Sequence, residues 1–381
     1  MKRKLVSLML AAAVSITALV GCGQSNTTKT EEAAQSNSTT QESTTKQDNS
    51  AGAELALITD VGTIDDKSFN QGSWEGVKAY AEQRGISYKY YQPSEKSDDA
   101  IMTSIGLAVK GGAKVIVCPG YLFEVPVYNA QLKYPDVTFI LIDGAPHGGD
   151  YNYDIKSNVK AIYYAEEQAG FLAGYAAVQD GYRQLGFMGG IAVPAVVRFG
   201  YGFVQGADYA AQELGLAKGD INIKYTYVGN FDASPENMSK AAAWYNEGTE
   251  IIFACGGGVG NSVMKAAETA GTKVIGVDVD QSVESETVIT SAMKNLSKSV
   301  YDAIDEYYRG TFEGGTAVTL DVKTNNVQLP METSRFQKFT QEQYNDIYNK
   351  IADGSIQINK NDVAENVADL PTNIVKVEPI Q

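Results

Sequence analysis

From residue 54 onward, short apolar runs alternate with amphipathic stretches. The runs occupy 55–58, 114–118, 137–142, 184–188, 251–255 and 273–277. They are rich in β-branched residues and bounded by Gly, Pro or Asp, which suits strands buried in a parallel sheet. Between them the apolar period becomes helical. Trp74, Val77 and Ala81 share one face; Ile101, Ile105 and Ala108 share another, behind a Ser97 cap with Asp98 and Asp99 in the first turn. Ala242 and Tyr245 extend the pattern, as do Val263, Ala267 and Ala270, with Gly248 and Gly271 as helix stops. Strands alternating with helices predict βαβ units and parallel sheets: an α/β fold.

The ends of the apolar runs divide the chain. Asp60, Pro119-Gly120 and Asp143 close the early runs; Gly189-Gly190, Asn230-Phe231-Asp232, Gly256-Gly257-Gly258 and Asp278 close the late ones. Open α/β sheets bind ligands beyond the carboxyl ends of their strands. Two such sets predict two doubly wound parallel-sheet lobes facing one cleft, joined by a multi-strand hinge. Crossings are expected at 151–159, 288–294 and 322–327, before a last helix at about 340–352. The first lobe is then 54–158 plus 291–325 and the second 159–290. Residues 326–381 hold the last crossing and helix, with their lobe left open.

The amino terminus carries an address. Lys2, Arg3 and Lys4 precede an apolar stretch over 5–20 that ends in Gly21-Cys22. A membrane-spanning helix needs about 20 apolar residues. This stretch is shorter and reads as a signal peptide over 1–21. Its end resembles a bacterial lipobox, which implies that Cys22 is lipidated and becomes the first mature residue. Residues 23–53 hold almost no large apolar group, so 22–53 reads as a lipidated cysteine and a flexible tether. Roughly 330 residues remain, enough for two domains. The formal charge is -15; without 1–21, which hold three basic residues and no acid, it is -18. That excess of acid argues against nucleic acid as a partner. Cys118 and Cys255 end apolar runs in different lobes, which disfavours a disulfide.

Catalytic signatures are sparse. The one histidine, His147, sits in a Gly-rich loop, with no metal-ligand spacing and no G-x-S-x-G elbow around it. The run Gly256-Gly257-Gly258-Val259-Gly260-Asn261 follows a strand and opens a helix, but fits neither the P-loop nor the dinucleotide pattern. It offers backbone N–H groups near the cleft, at Gly257 above all; as an alternative it is a tight turn.

The segment Thr59-Asp60-Val61-Gly62-Thr63-Ile64-Asp65-Asp66-Lys67-Ser68-Phe69-Asn70-Gln71 carries the most information. With Gly229-Asn230-Phe231-Asp232, the 256–261 run, 274–281 and Thr290-Ser291-Ala292-Met293-Lys294-Asn295, it resembles the basic membrane protein (BMP) family of type I substrate-binding lipoproteins. The resemblance covers nearly all of the mature chain. It implies a periplasmic-binding-protein-like type I fold that binds a purine nucleoside for an ABC permease, without enzymatic activity, cofactor or metal. Phe69 and Phe231 match the two positions that stack on the base. Asp143 matches a carboxylate at the base edge, where it accepts N–H donors. Asp278 matches a carboxylate, and Lys294 a lysine, at the ribose hydroxyls. Asn70 offers the base a donor and an acceptor, and Asp60 lies close by. Asp65 and Asp66 read as helix caps, Trp74 as core, and Asp280 as a weaker alternative to Asp278. Arg198-Phe199 keeps a family pattern, whereas 192–195 is more apolar than the family's loop. A monomer, anchored by lipid outside the cytoplasm, completes the expectation.

Other readings stay in view. The 59–66 segment looks like the calcium site of nucleoside hydrolases, but Ile58 stands where its first aspartate belongs. The same fold also serves sugars and signalling ligands, as a receptor without transport. Which nucleoside is preferred stays open.

Overall fold

A computed structural model describes residues 52–60, 62–360 and 366–380. The elements begin with β1 (Leu55–Ile58), α1 (Phe69–Arg84), β2 (Tyr88–Tyr91), α2 (Asp98–Lys110), β3 (Val115–Pro119), α3 (Glu124–Lys133), β4 (Thr138–Ile142) and β5 (Val159–Tyr164). Then come α4 (Glu166–Asp180), β6 (Gln184–Gly189), α5 (Pro194–Glu213), β7 (Asn222–Tyr227), α6 (Pro235–Asn246), β8 (Ile251–Cys255), α7 (Gly258–Ala270), β9 (Lys273–Asp278) and β10 (Val288–Lys294). The chain ends with α8 (Leu296–Arg309), β11 (Thr316–Leu320), β12 (Val327–Gln328), α9 (Gln341–Ala352) and β13 (Lys376–Pro379).

Two sheets result. The first runs β11-β5-β4-β3-β1-β2, all parallel. The second runs β12-β10-β9-β8-β6-β7-β13, parallel except for β12. Within each, the first five strands follow the order 2-1-3-4-5, a doubly wound sheet whose order reverses beside its first strand. The apolar runs explain this. β1, β3, β4 and β8 are buried along their whole length, so helices must cover both faces. Ser97 caps α2 by accepting from the Ala100 N–H, and Gly271 ends α7 in the left-handed conformation.

The crossings lie elsewhere than expected at two of three places. Residues 159–164 pair with β4 and β11, so they belong to the first sheet and the crossing comes at Ala165. Residues 291–293 pair with β9 and Lys294 with β12, so the return crossing comes at Asn295. Both strands are largely buried inside their sheets, β5 between β11 and β4 and β10 between β12 and β9, and the polar residues beside them drew the expected boundary to the wrong side. The third crossing lies between β11 and β12. Residues after it join the second lobe: β12 and β13 extend its sheet, and α9 packs on α4. Buried Asp208 reinforces this by accepting from the N–H groups of Asn373, Ile374 and Val375. The cysteines of the two sheets, Cys118 and Cys255, are free and buried. Among the described residues, no helix is long and apolar enough to cross a membrane.

Candidate functional site

The carboxyl ends of both sheets meet at a cavity. Asp60, Gly120 and Asp143 line it from the ends of β1, β3 and β4. Cys255, Gly257, Asp278 and Lys294 line it from β8, β9 and β10. This is where the reversal of strand order opens a crevice in each sheet.

Phe69 and Phe231, one from each lobe, stand in its wall. Phe69 opens α1, and Phe231 lies in the loop after β7. Phe231 needs bare backbone around it: a Cβ at Gly190 would lie 2.3 Å from its ring. Its carbonyl accepts from the Gly258 N–H, and the preceding Gly257 holds φ at 52°, a left-handed value that suits glycine. Val193, Ala195, Val196 and Phe199 complete the apolar wall where α5 begins.

The charged part centres on Lys294. Its Nζ lies 2.6 Å from Asp143 Oδ2, 3.5 Å from Asp278 Oδ1 and 3.7 Å from Glu166 Oε1. It also stands 4.6 Å from the centre of the Phe69 ring, within cation–π reach. Burial alone would depress the lysine; the carboxylates of Asp143, Asp278 and Glu166 outweigh it and hold the pKa above its usual value. Burial pushes Asp143 up to about 7, against the pull of Lys294 and with the repulsion of Glu166. One oxygen of Asp143, Oδ1, is buried with no hydrogen-bond partner among the described residues. Such an atom in a cavity wall is an acceptor in want of a donor.

The loop before α1 is held by its own carboxylates. Asp66 accepts from the N–H groups of Ser68, Asn70 and Gln71, which caps the helix. The Asn70 amide donates to Asp60 Oδ1 at 2.8 Å and to Asp66 Oδ2 at 3.0 Å. Ser68 occupies the N-cap position, yet its hydroxyl donates across the cleft to Asp278 Oδ2 at 2.5 Å. Burial raises the pKa of Asp60 and of Asp66.

Residues 53–362 match the model of a family described as ABC transporter substrate-binding proteins, PnrA-like. The chain belongs to this Bmp family. An ABC transporter nucleoside-binding protein, BmpA, of Lactococcus lactis subsp. cremoris is 27% identical over 363 residues, covering 88% of this chain and 93% of the relative. Basic membrane protein A1 of Borrelia garinii subsp. bavariensis is 31% identical over 274 residues, covering 71% of this chain and 77% of the relative. Among solved structures, an ABC transporter solute-binding protein from Aeropyrum pernix K1 superposes with a TM-score of 0.69 at 22% identity, covering 82% of this chain and 95% of that one. The likeness supports a periplasmic-binding-protein type of fold, with its two α/β lobes.

In this Bmp chain the eight residues singled out from sequence (Asp60, Phe69, Asn70, Asp143, Phe231, Gly257, Asp278 and Lys294) line one cavity. Asn70 differs from expectation in its bonding. Both its donors are taken by Asp60 and Asp66, and its Oδ1 accepts from the Asp60 N–H, so it braces the loop rather than offering the base a donor. Asp280 lies outside the wall; its carboxylate accepts from Ser282 N–H and Thr333 Oγ1. Trp74 is core, packed against Tyr88 and Tyr90. His147 is buried away from the cavity beside Glu124, and its Nδ1 accepts from the Gly149 N–H. Sequence reasoning missed Glu166, which no cavity motif marks, and discounted the apolar 192–195 segment, which forms a wall. Cys22, the signal peptide and most of the tether lie outside the described residues.

Proposed function

We propose that this chain captures a purine nucleoside between its lobes and hands it to an ABC importer. The observation that carries the reading is Asp143 Oδ1: a buried acceptor without a partner among the described residues, in a cavity walled by Phe69 and Phe231. Aromatic rings hold a flat base by its faces, and an acceptor at its edge selects N–H donors. Asp278 and Lys294, 3.5 Å apart, would offer a ribose diol an acceptor and a donor together. The relative from Lactococcus, whose name specifies nucleosides, supports the same class. The site then supplies binding energy rather than bond chemistry. The amino-terminal residues fit this role as a lipid anchor on Cys22 that keeps a monomeric body outside the cytoplasm, beside its permease.

Calorimetric titration of residues 54–381, unfolded and refolded to strip any ligand, tests the reading. Guanosine, inosine or adenosine should bind tightly, with uridine and free ribose weak. Binding of ribose alone would move the site to sugars. Silence toward every nucleoside would remove the ligand assignment. Calcium-dependent release of free base would revive the hydrolase.

A further inference from the structure

Glu166 opens α4 directly after the first crossing, and its side chain is fully buried. It does not line the cavity. Arg198 on α5 donates from Nε to Glu166 Oε2 at 2.7 Å. The other oxygen, Oε1, has no hydrogen-bond partner among the described residues and faces the Lys294 ammonium at 3.7 Å. A buried carboxylate oxygen left half-satisfied costs free energy, so its placement calls for a reason.

Charge counted by lobe supplies one. Lys294, Asp278, Arg198 and Glu166 all stand on elements of the second lobe, two cations against two carboxylates, and the buried Glu167 beside them is met by Lys360 at 3.6 Å. Asp143 arrives from the first lobe and reaches Lys294. Closure thus adds one carboxylate to a balanced set, and Glu166 is the carboxylate behind it. Tyr163 and Tyr164 of β5 also neighbour Asp143, but both phenols are held above their usual range, chiefly by burial, and stay neutral. Asp60 faces the same cavity, and Glu124, beside the next residue Gly144, is bonded to His147.

We propose that Glu166 is a positioning residue for ligand capture: from behind the wall it aims the Lys294 ammonium and sets the pH range over which Asp143 is a free acceptor. This rests on the reading of Asp143 as a ligand contact. Nucleoside affinity should fall in acid, as the Asp143 carboxyl, raised by burial and by Glu166 against the pull of Lys294, takes up a proton. The protonated form spends an oxygen on its own proton and repels a ligand N–H.

Two variants separate charge from shape. Glu166→Gln keeps the size and the acceptor for Arg198 but removes the charge, so the midpoint should move down by about one pH unit. Glu166→Asp keeps the charge and shortens the side chain, so the midpoint should stay. A merely structural role predicts the reverse, with Gln silent and Asp damaging. Guanosine titration across about pH 5 to 9 reads the binding midpoint. The carboxyl carbon resonance of Asp143 in ligand-free protein, identified by its loss in Asp143→Asn, reads ionisation directly. A resonance midpoint unmoved by Glu166→Gln overturns the proposal, whatever the chain binds. A moved resonance in a chain that ignores guanosine, inosine and adenosine alike upholds the coupling and overturns the nucleoside reading instead.

Discussion

Asp143 and Asp278 share a conformation as well as a cation. Their φ values are 56° and 66°, left-handed for residues that carry a Cβ; Asp143 directly follows β4 and Asp278 ends β9. Such backbone costs on the order of 1–3 kcal/mol and concentrates at functional sites. Asp and Asn tolerate it best. That makes Asn the informative replacement, since Ala would mix lost charge with added strain. Asp278→Asn should weaken a riboside by about 1.5–3 kcal/mol, the worth of a hydrogen bond to a charged group. Titration with guanosine and with guanine reads the difference; equal losses for both would detach Asp278 from the sugar. The same logic applies to Phe69, whose ring lies under the Lys294 ammonium. Phe69→Leu keeps the apolar bulk and loses the π-face, so most of the roughly 1–3 kcal/mol of a stack should vanish. A leucine that binds as well as wild type would mean that volume, not stacking, holds the ligand.

At the scale of elements, the seam between α4 and α5 decides how well the site is held. Gly170 and Gly174 on α4 face Gly202 and Gly206 on α5 in reciprocal fashion. A Cβ on Gly202 would lie 2.0 Å from the Glu167 carbonyl oxygen, and one on Gly174 would lie 2.0 Å from that of Phe203. The helices touch backbone to backbone, and the seam fixes Glu166, Arg198 and Phe199 together. Gly202→Ala should therefore cost about 1–3 kcal/mol or more through overpacking. Gly106→Ala on α2, which meets nothing closer than the Tyr134 hydroxyl at 3.3 Å, should be neutral or stabilising by about 0.4–1 kcal/mol. Denaturant midpoints compare the two; similar effects would mean that the seam carries no special constraint. The seam also shows what the sequence concealed. α4 is buried nearly all round, so no polar face marks its period, and its glycines read as breakers. β2, Tyr-Lys-Tyr-Tyr, is half-buried at a sheet edge and lacks the apolar run that marked β3 or β8. The strand ends were legible because function puts polar residues and glycine there. The Glu166–Lys294 contact was not, since a layer behind the wall leaves no motif.

For the whole molecule the question is what holds the lobes together before a ligand adds its share. Several ties cross the cleft. Lys294 meets Asp143, the Gln281 amide donates to the Lys67 carbonyl at 2.7 Å, and Lys67 pairs with Glu284 at 3.6 Å. The last pair is substantially exposed and worth little. Ser68 is the cleanest probe. It is fully buried, it does not line the cavity, and its hydroxyl makes the bond to Asp278 Oδ2. Its helix does not depend on that hydroxyl, because Asp66 takes the free N–H groups of α1. Ser68→Ala therefore leaves each lobe intact and subtracts one charge-assisted bond from the closed form. Capture should weaken by about 1.5–3 kcal/mol, roughly ten- to a hundredfold, through faster release and with the order of preference among nucleosides unchanged. Stopped-flow release rates and small-angle scattering read it together: the wild type should contract on binding guanosine, and the variant should need more ligand to contract as far. Unchanged release would show that Ser68 and Asp278 meet without contributing to capture. A reversal of nucleoside preference would show that Ser68 acts on the ligand itself, and the tie would have to be counted as part of the site rather than of the closure.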